Sequence, residues 1–255
     1  MRVERKGCWV KLLTSIAVST MLVSGGASAG WSVGVGASYS PAVYKGTPSN
    51  RVVIPVIGYE GEHVYFRGFS AGYRIWKQRS PHNIVFKLAY DPRTLKPSDS
   101  DDAFVRQVDK RKSTALGGVS YQYMNRSLGM FELTLAGDML GRSDGAYAET
   151  VYRIPFRGER WMLTPALGLA WNSSKLNNYL YGISDSEADR LNVDSFAPAG
   201  DTQVFVGLRG LYSITDNIRF VAGVRYTQLQ GDLEHSPLLG STHSTAANIG
   251  VVYAF

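Results

Sequence analysis

Gly68-Phe69-Ser70-Ala71-Gly72 has the G-x-S-x-G spacing of a nucleophile elbow, in which a strained strand-to-helix turn holds a serine hydroxyl clear for attack on an ester. Here the five residues lie within an alternating segment with no helical period after it, so small residues inside a strand are the preferred reading and a hydrolase acting through Ser70 is the remote one. His63, His82, His235 and His243 are scattered without metal-ligand spacing and are expected on loops or rims. The single cysteine, Cys8, precedes an apolar segment that reads as cleavable, so thiol, disulfide and zinc-thiolate chemistry are not expected of the remaining chain. No catalytic, cofactor-binding or metal-binding residue is assigned.

A second group of residues could act by charge. Lys87, Glu132, Asp138, Glu149, Arg153, Arg209 and Arg225 sit singly among small or apolar neighbours, and the alternation around each puts all seven on one face; Arg67 is a less definite eighth. On the inner wall of a narrow barrel they would either pair into a network that closes the lumen or leave a charged constriction for small solutes. The mixed signs favour pairing, since isolated buried charges are costly.

The elements that must position them begin with an export signal. Arg2, Arg5, Lys6 and Lys11 form a basic start, Leu12 to Val23 an apolar middle, and Ala27-Ser28-Ala29 an A-x-A cleavage site, so residues 1–29 read as a signal peptide and 30–255 as the mature domain. The formal charge of +6 falls with it. Four of 27 basic and one of 21 acidic residues leave, so 23 against 20 gives +3, and nucleic-acid binding loses its main support.

No mature segment reaches the roughly 18 to 20 apolar residues of a membrane-spanning helix. Instead Trp31, Val33, Val35, Ala37 and Tyr39 alternate with Ser and Gly; Ile84, Phe86, Leu88 and Tyr90 alternate with Val85, Lys87 and Ala89; and Trp161 to Trp171 alternates with aromatics at both ends. The oily face carries no charges, while the other is rich in Gly, Ala, Ser and Thr with scattered charges. Exported segments of about ten residues with this pattern predict an all-β, transmembrane, antiparallel up-and-down β-barrel in a bacterial outer membrane, with lipid as its first partner.

Short turns are expected at 124–127, 157–159 and 214–217, and long loops at 92–112, 172–201 and 230–245. Short turns face the periplasm in such barrels and long loops face outward. Counting back from the C-terminus, this parity fails before residue 82. One crossing between Pro41 and Pro81 is therefore hidden, which gives twelve strands, with ten as the alternative. In the loop 172–201, Ser184-Asp185-Ser186-Glu187 is an S-x-x-E capping box that predicts a short helix from Asp185 to about Leu191.

The chain ends on Ile249, Val251, Tyr253 and Phe255 on one face. This resembles the terminal signal that the barrel-assembly machinery reads, a role implied by likeness to other outer-membrane barrels. A wider resemblance is carried by "GVGASYSPAVYKGTPSNRVVIPVIGYEGEHVYFRG", "YLYGISDSEADR", "YSITDNIRFVAGVRYTQLQGDLEHSPLL" and "NIGVVYAF" in that order. Its distinctive positions are Ser40, Pro41, Tyr44 and Gly46; Tyr181, Gly182 and Ser184; and Gly231, Asp232, Ser236 and Pro237. Together these resemble the MipA/OmpV family of outer-membrane proteins. The resemblance implies a non-catalytic scaffold that joins a lytic transglycosylase to a murein synthase, and it supplies no catalytic residues or cofactors. Partners of that kind would have to dock on the short periplasmic turns, at Asn125, Arg126, Arg157, Gly158, Glu159, Asp216 and Asn217, or on the mature N-terminus. Ordinary turn chemistry is the preferred reading of those residues.

Overall fold

The structure, a computed structural model, describes residues 30–255; the expected signal peptide and Cys8 lie outside them. The alternating segments form β1 (Gly30–Ser40), β2 (Asn50–Glu60), β3 (Val64–Arg67), β4 (Ser70–Arg74), β5 (His82–Asp91), β6 (Thr114–Asn125), β7 (Gly129–Asp138), β8 (Ala146–Arg153), β9 (Phe156–Arg157), β10 (Trp161–Asn172), β11 (Asp201–Ser213), β12 (Ile218–Leu229) and β13 (His243–Ala254). Every neighbour is antiparallel, and β13 closes the ring on β1, from Ser32 opposite Ala254 to Tyr39 opposite Ala247. β8 and β9 both pair with β10 and are one stave broken at Ile154-Pro155, where proline has no N–H for the ladder. The barrel therefore has twelve staves.

The crossing hidden between Pro41 and Pro81 is the hairpin β3–β4. Its strands of four and five residues are too short to display a period, and a glycine with φ of 59° at Gly68 makes the tight reversal that a side chain would strain. The rest of the expected parity holds. Residues 61–63, 75–81, 126–128, 158–160 and 214–217 turn at the end where Gly30 and Phe255 lie, and the longer connections leave the opposite end.

Alternation places the apolar set outside, as lipid requires: Val35 is 53% exposed, Leu167 57% and Ile249 53%. The largest buried core is consequently not in the wall. It lies over the outer mouth, where Tyr44, Leu95, Leu176, Leu180, Leu233 and Leu238 pack together from four different loops. Two helices carry part of it: α1 (Ser174–Tyr181) and α2 (Asp185–Leu191). The second has the expected bounds and the expected capping box, with Ser184 and Glu187 exchanging bonds; the first was not foreseen.

Candidate functional site

The lumen is built from the inward residues of the staves. Lys87 on β5 stands opposite Gly118 on β6, and because that glycine has no side chain the lysine crosses β6 to pair with Glu132 on β7. Arg153 on β8 donates to the other oxygen of Glu132 at 2.9 Å. One carboxylate, 5% exposed, is thus held between two cations, one at each oxygen, and such charge-assisted pairing makes a buried charge tolerable. Higher in the barrel Glu149 accepts from the Tyr147 hydroxyl at 2.8 Å and from Arg225 at 3.4 Å. The Arg225 guanidinium lies over Phe205, 3.5 Å from the ring centroid, which adds cation–π attraction. Arg209 faces the lumen from the middle of β11, opposite Gly223.

Six of the seven charges expected in the lumen are therefore on its wall. Asp138 is the exception. It ends β7, and its carboxylate accepts the backbone N–H groups of Leu140, Arg142, Ser143 and Asp144 as well as the Thr114 hydroxyl. It organises the outer turn 139–145 and pairs with no lumen cation among the described residues. Alternation assigns a face correctly, but at the last residue of a strand the adjacent turn offers nearer donors.

A further cluster was missed because it depends on the hidden hairpin. Glu60, the last residue of β2, accepts from Arg67 at 2.8 and 2.9 Å, from Arg74 at 2.5 Å and from Gln78 at 2.9 Å. Both arginines lie against Tyr65, 4.2 and 4.6 Å from its centroid. Folding β3 onto β4 puts Arg67 and Arg74 on one inward surface near the inner rim, and only that reversal unites them. Arg219, near the inner end of β12, was also unremarked; its Nη1 is buried without a hydrogen-bond partner among the described residues.

The outer mouth is covered by the loop core. Tyr44 donates to the Leu180 carbonyl at 3.0 Å, Ser236 to that of Tyr181 at 2.7 Å, and Ser100 to that of Lys45 at 2.7 Å. Arg111 spans the cap, donating to Gly182 at 3.1 Å and to both Glu187 oxygens at 2.8 and 3.0 Å. Glu187 also accepts the N–H groups of Asp109 and Ser184.

At the inner end, Asn125 caps its own turn by accepting from Ser127 and Leu128, and Asn217 donates to the Ala254 carbonyl at 2.7 Å. For these two the ordinary turn reading describes what they do. Arg126, Arg157, Gly158, Glu159 and Asp216 are exposed there. Ile249, Val251 and Tyr253 line the outer face of β13, and the Phe255 N–H donates to the Trp31 carbonyl at 3.0 Å. Ser70 opens β4 directly after the hairpin turn, its hydroxyl donating to the Arg67 carbonyl at 3.3 Å, and the next described element is another strand. His63 donates to the Arg74 carbonyl and His82 is hydrogen-bonded to the Tyr121 hydroxyl, both at the inner rim; His235 and His243 lie at the outer end. No cluster of three metal-ligating side chains occurs among the described residues.

Residues 33–255 match the family described as "MltA-interacting protein MipA". The chain is 29% identical over 225 residues to the MltA-interacting protein of Escherichia coli strain K12, covering 88% of this chain and 90% of that one. It is 26% identical over 230 residues to the outer membrane protein OmpV of Vibrio cholerae, with 88% and 86% covered. Among solved structures it is similar to the NanC porin, with a TM-score of 0.44 and 11% identity over 87% of this chain and 98% of that one.

Proposed function

Because this chain belongs to the MipA family of outer-membrane β-barrels, we propose that it is a closed barrel and a non-catalytic interaction protein for the murein-building and murein-cleaving machinery. The observation that carries this reading is the covered outer mouth. A cap whose centre is Leu233 and Leu238, both 0% exposed, together with ion pairs across the lumen, is the build of a closed scaffold rather than of a conduit. The name of the Escherichia coli relative supplies the kind of partner. A lytic transglycosylase and a murein synthase both work on the periplasmic side, so docking falls to the inner turns. There Arg126, Arg157, Glu159 and Asp216 offer charge, and Leu128 and Ile214, 59% and 47% exposed, offer the apolar contact that a stable interface centres on.

The test pairs two measurements on protein purified from outer membranes. In a planar bilayer the barrel is expected to be silent, and in a pull-down it is expected to retain a purified lytic transglycosylase, with retention lost when Arg126, Arg157 and Ile214 are replaced together by alanine. Steady conductance whose ion selectivity changes in Arg209→Ala and Arg225→Ala would replace this reading with a narrow channel for small solutes. Ester hydrolysis lost in Ser70→Ala would replace it with a hydrolase.

A further inference from the structure

The outer half of the wall is incomplete at one place. β3 and β4 turn back at Gly68 and Phe69, where the Gly68 N–H donates to the Ile57 carbonyl at 3.0 Å and the Tyr90 N–H to that of Phe69 at 2.9 Å. Beyond that turn β2 runs on outward from Val56 to Asn50, paired with β1 throughout but with no strand on its other side. Roughly 20 Å of strand edge is left open, at about 3.3 Å per residue. Among the described residues no backbone hydrogen bond reaches that edge from elsewhere. Only the loops meet above it, where Ser100 donates to the Lys45 carbonyl at 2.7 Å and the Asp101 N–H to that of Gly46 at 2.8 Å. The result is a window, with β2 on one side, the hairpin tip below and the outer end of β5 on the other, where Phe69 and Tyr90 lie ring to ring at 5.9 Å.

An open edge in hydrocarbon leaves polar backbone without partners, and the sequence reduces that cost. Ile57 turns its carbonyl to this side, so alternation turns Pro55, Val53 and Arg51 the same way. Pro55 has no N–H, which also interrupts any ladder that a strand from another chain could build there. The two remaining donors lie toward the outer girdle, since Arg51 stands opposite Tyr39. Side chains on both faces of β2 are apolar here. Val53, Pro55 and Ile57 face lipid, with Val53 69% exposed against 53% for Val35, while Val52, Ile54 and Val56 face the lumen half-buried. Beside them β1 shows the lumen only Gly34, Gly36 and Ser38. Arg51 is exposed on the lipid side with its guanidinium 5.8 Å from the Tyr39 ring centroid and makes no ion pair among the described residues. A cation on the lipid face is tolerable only near the interface, and its fork matches phosphate.

We propose that this window admits an acyl chain of an outer-leaflet lipid, which lies against Val52, Ile54 and Val56 while its anionic headgroup sits on Arg51. The proposal does not rest on the murein-partner reading. The window opens to the bilayer rather than to either aqueous side, so a barrel silent in conductance and one that holds lipid are compatible.

Site-directed quenching tests it. The only native cysteine, Cys8, precedes the expected cleavage site, so a bimane label can be placed singly on Ile54→Cys, on Val53→Cys as the lipid-facing reference, or on Thr164→Cys as an inward residue across the ring. Each labelled protein is reconstituted in vesicles of phosphatidylglycerol or phosphatidylcholine with dibrominated acyl chains, and heat-dependent gel mobility verifies the fold. Ile54 is expected to be quenched at least half as strongly as Val53 and several-fold more than Thr164. Its quenching should be at least twofold stronger in phosphatidylglycerol, a difference that Arg51→Gln abolishes. Quenching at Ile54 no greater than at Thr164 overturns the proposal, as does a phosphatidylglycerol preference unchanged in Arg51→Gln. Protection of both Ile54 and Val53 in a dimer seen by cross-linking would likewise overturn it, by giving the edge to a second copy of the chain.

Discussion

Glu187 is 1% exposed, yet it closes the α2 capping box and neutralises Arg111. Burial alone would raise its pKa, but the N–H groups of Asp109 and Ser184 and the Arg111 guanidinium outweigh burial and hold the carboxyl below the ordinary 4.5. A depressed folded value favours the ionised fold, so this contribution is complete above the ordinary carboxylate range and is lost as pH falls through the depressed value. Proteolysis within 173–200 is therefore expected to rise as pH drops below 4.5, with the wall still intact. Glu187→Gln should make the cap labile even at neutral pH, costing about 3 kcal/mol because Arg111 is left buried without its counter-ion; a digestion profile unchanged from the parent would contradict this. The capping role was legible in four consecutive letters. The pairing with Arg111, 76 positions away, was not, since nothing local to either residue announces the other.

Elements divide in the same way. The long staves and α2 were legible because each displays its own period or cap. For α2 the consequence is direct: Ser184→Ala should cost about 1 kcal/mol, seen as faster amide exchange across 185–191. The final strand was legible too, and its terminal ring carries a separate expectation. The Phe255 main chain bonds to Trp31 whatever its side chain, so Phe255→Ala should refold in detergent as well as the parent while accumulating less in the outer membrane of cells; equal cellular yield would remove the ring's assembly role. The β3–β4 hairpin was deducible only by parity, because four or five residues cannot show alternation clearly, and with it went the Glu60–Arg67–Arg74 cluster.

For the whole molecule, the proposed closed barrel makes the cap over the outer mouth the element to test. Its apolar centre joins segments from loops after β1, β5, β10 and β12, so a charge placed there must find water by separating them. Leu233→Asp and Leu238→Asp are expected to turn a silent barrel into one with measurable single-channel conductance, while the heat-dependent gel shift of the wall persists. A variant as silent as the parent would mean that the lumen network closes the barrel without the cap.

Alternation with period two, the lengths of the connections and the terminal strand determined a twelve-stave outer-membrane barrel, because a strand's two faces are written into neighbouring letters and a closed ring requires an even count when both ends emerge on one side. Tertiary structure alone decided which loops meet, that their apolar residues form the principal buried core, and which cation faces which carboxylate. Those are contacts between residues tens of positions apart, fixed by the register and tilt of the ring rather than by any local preference.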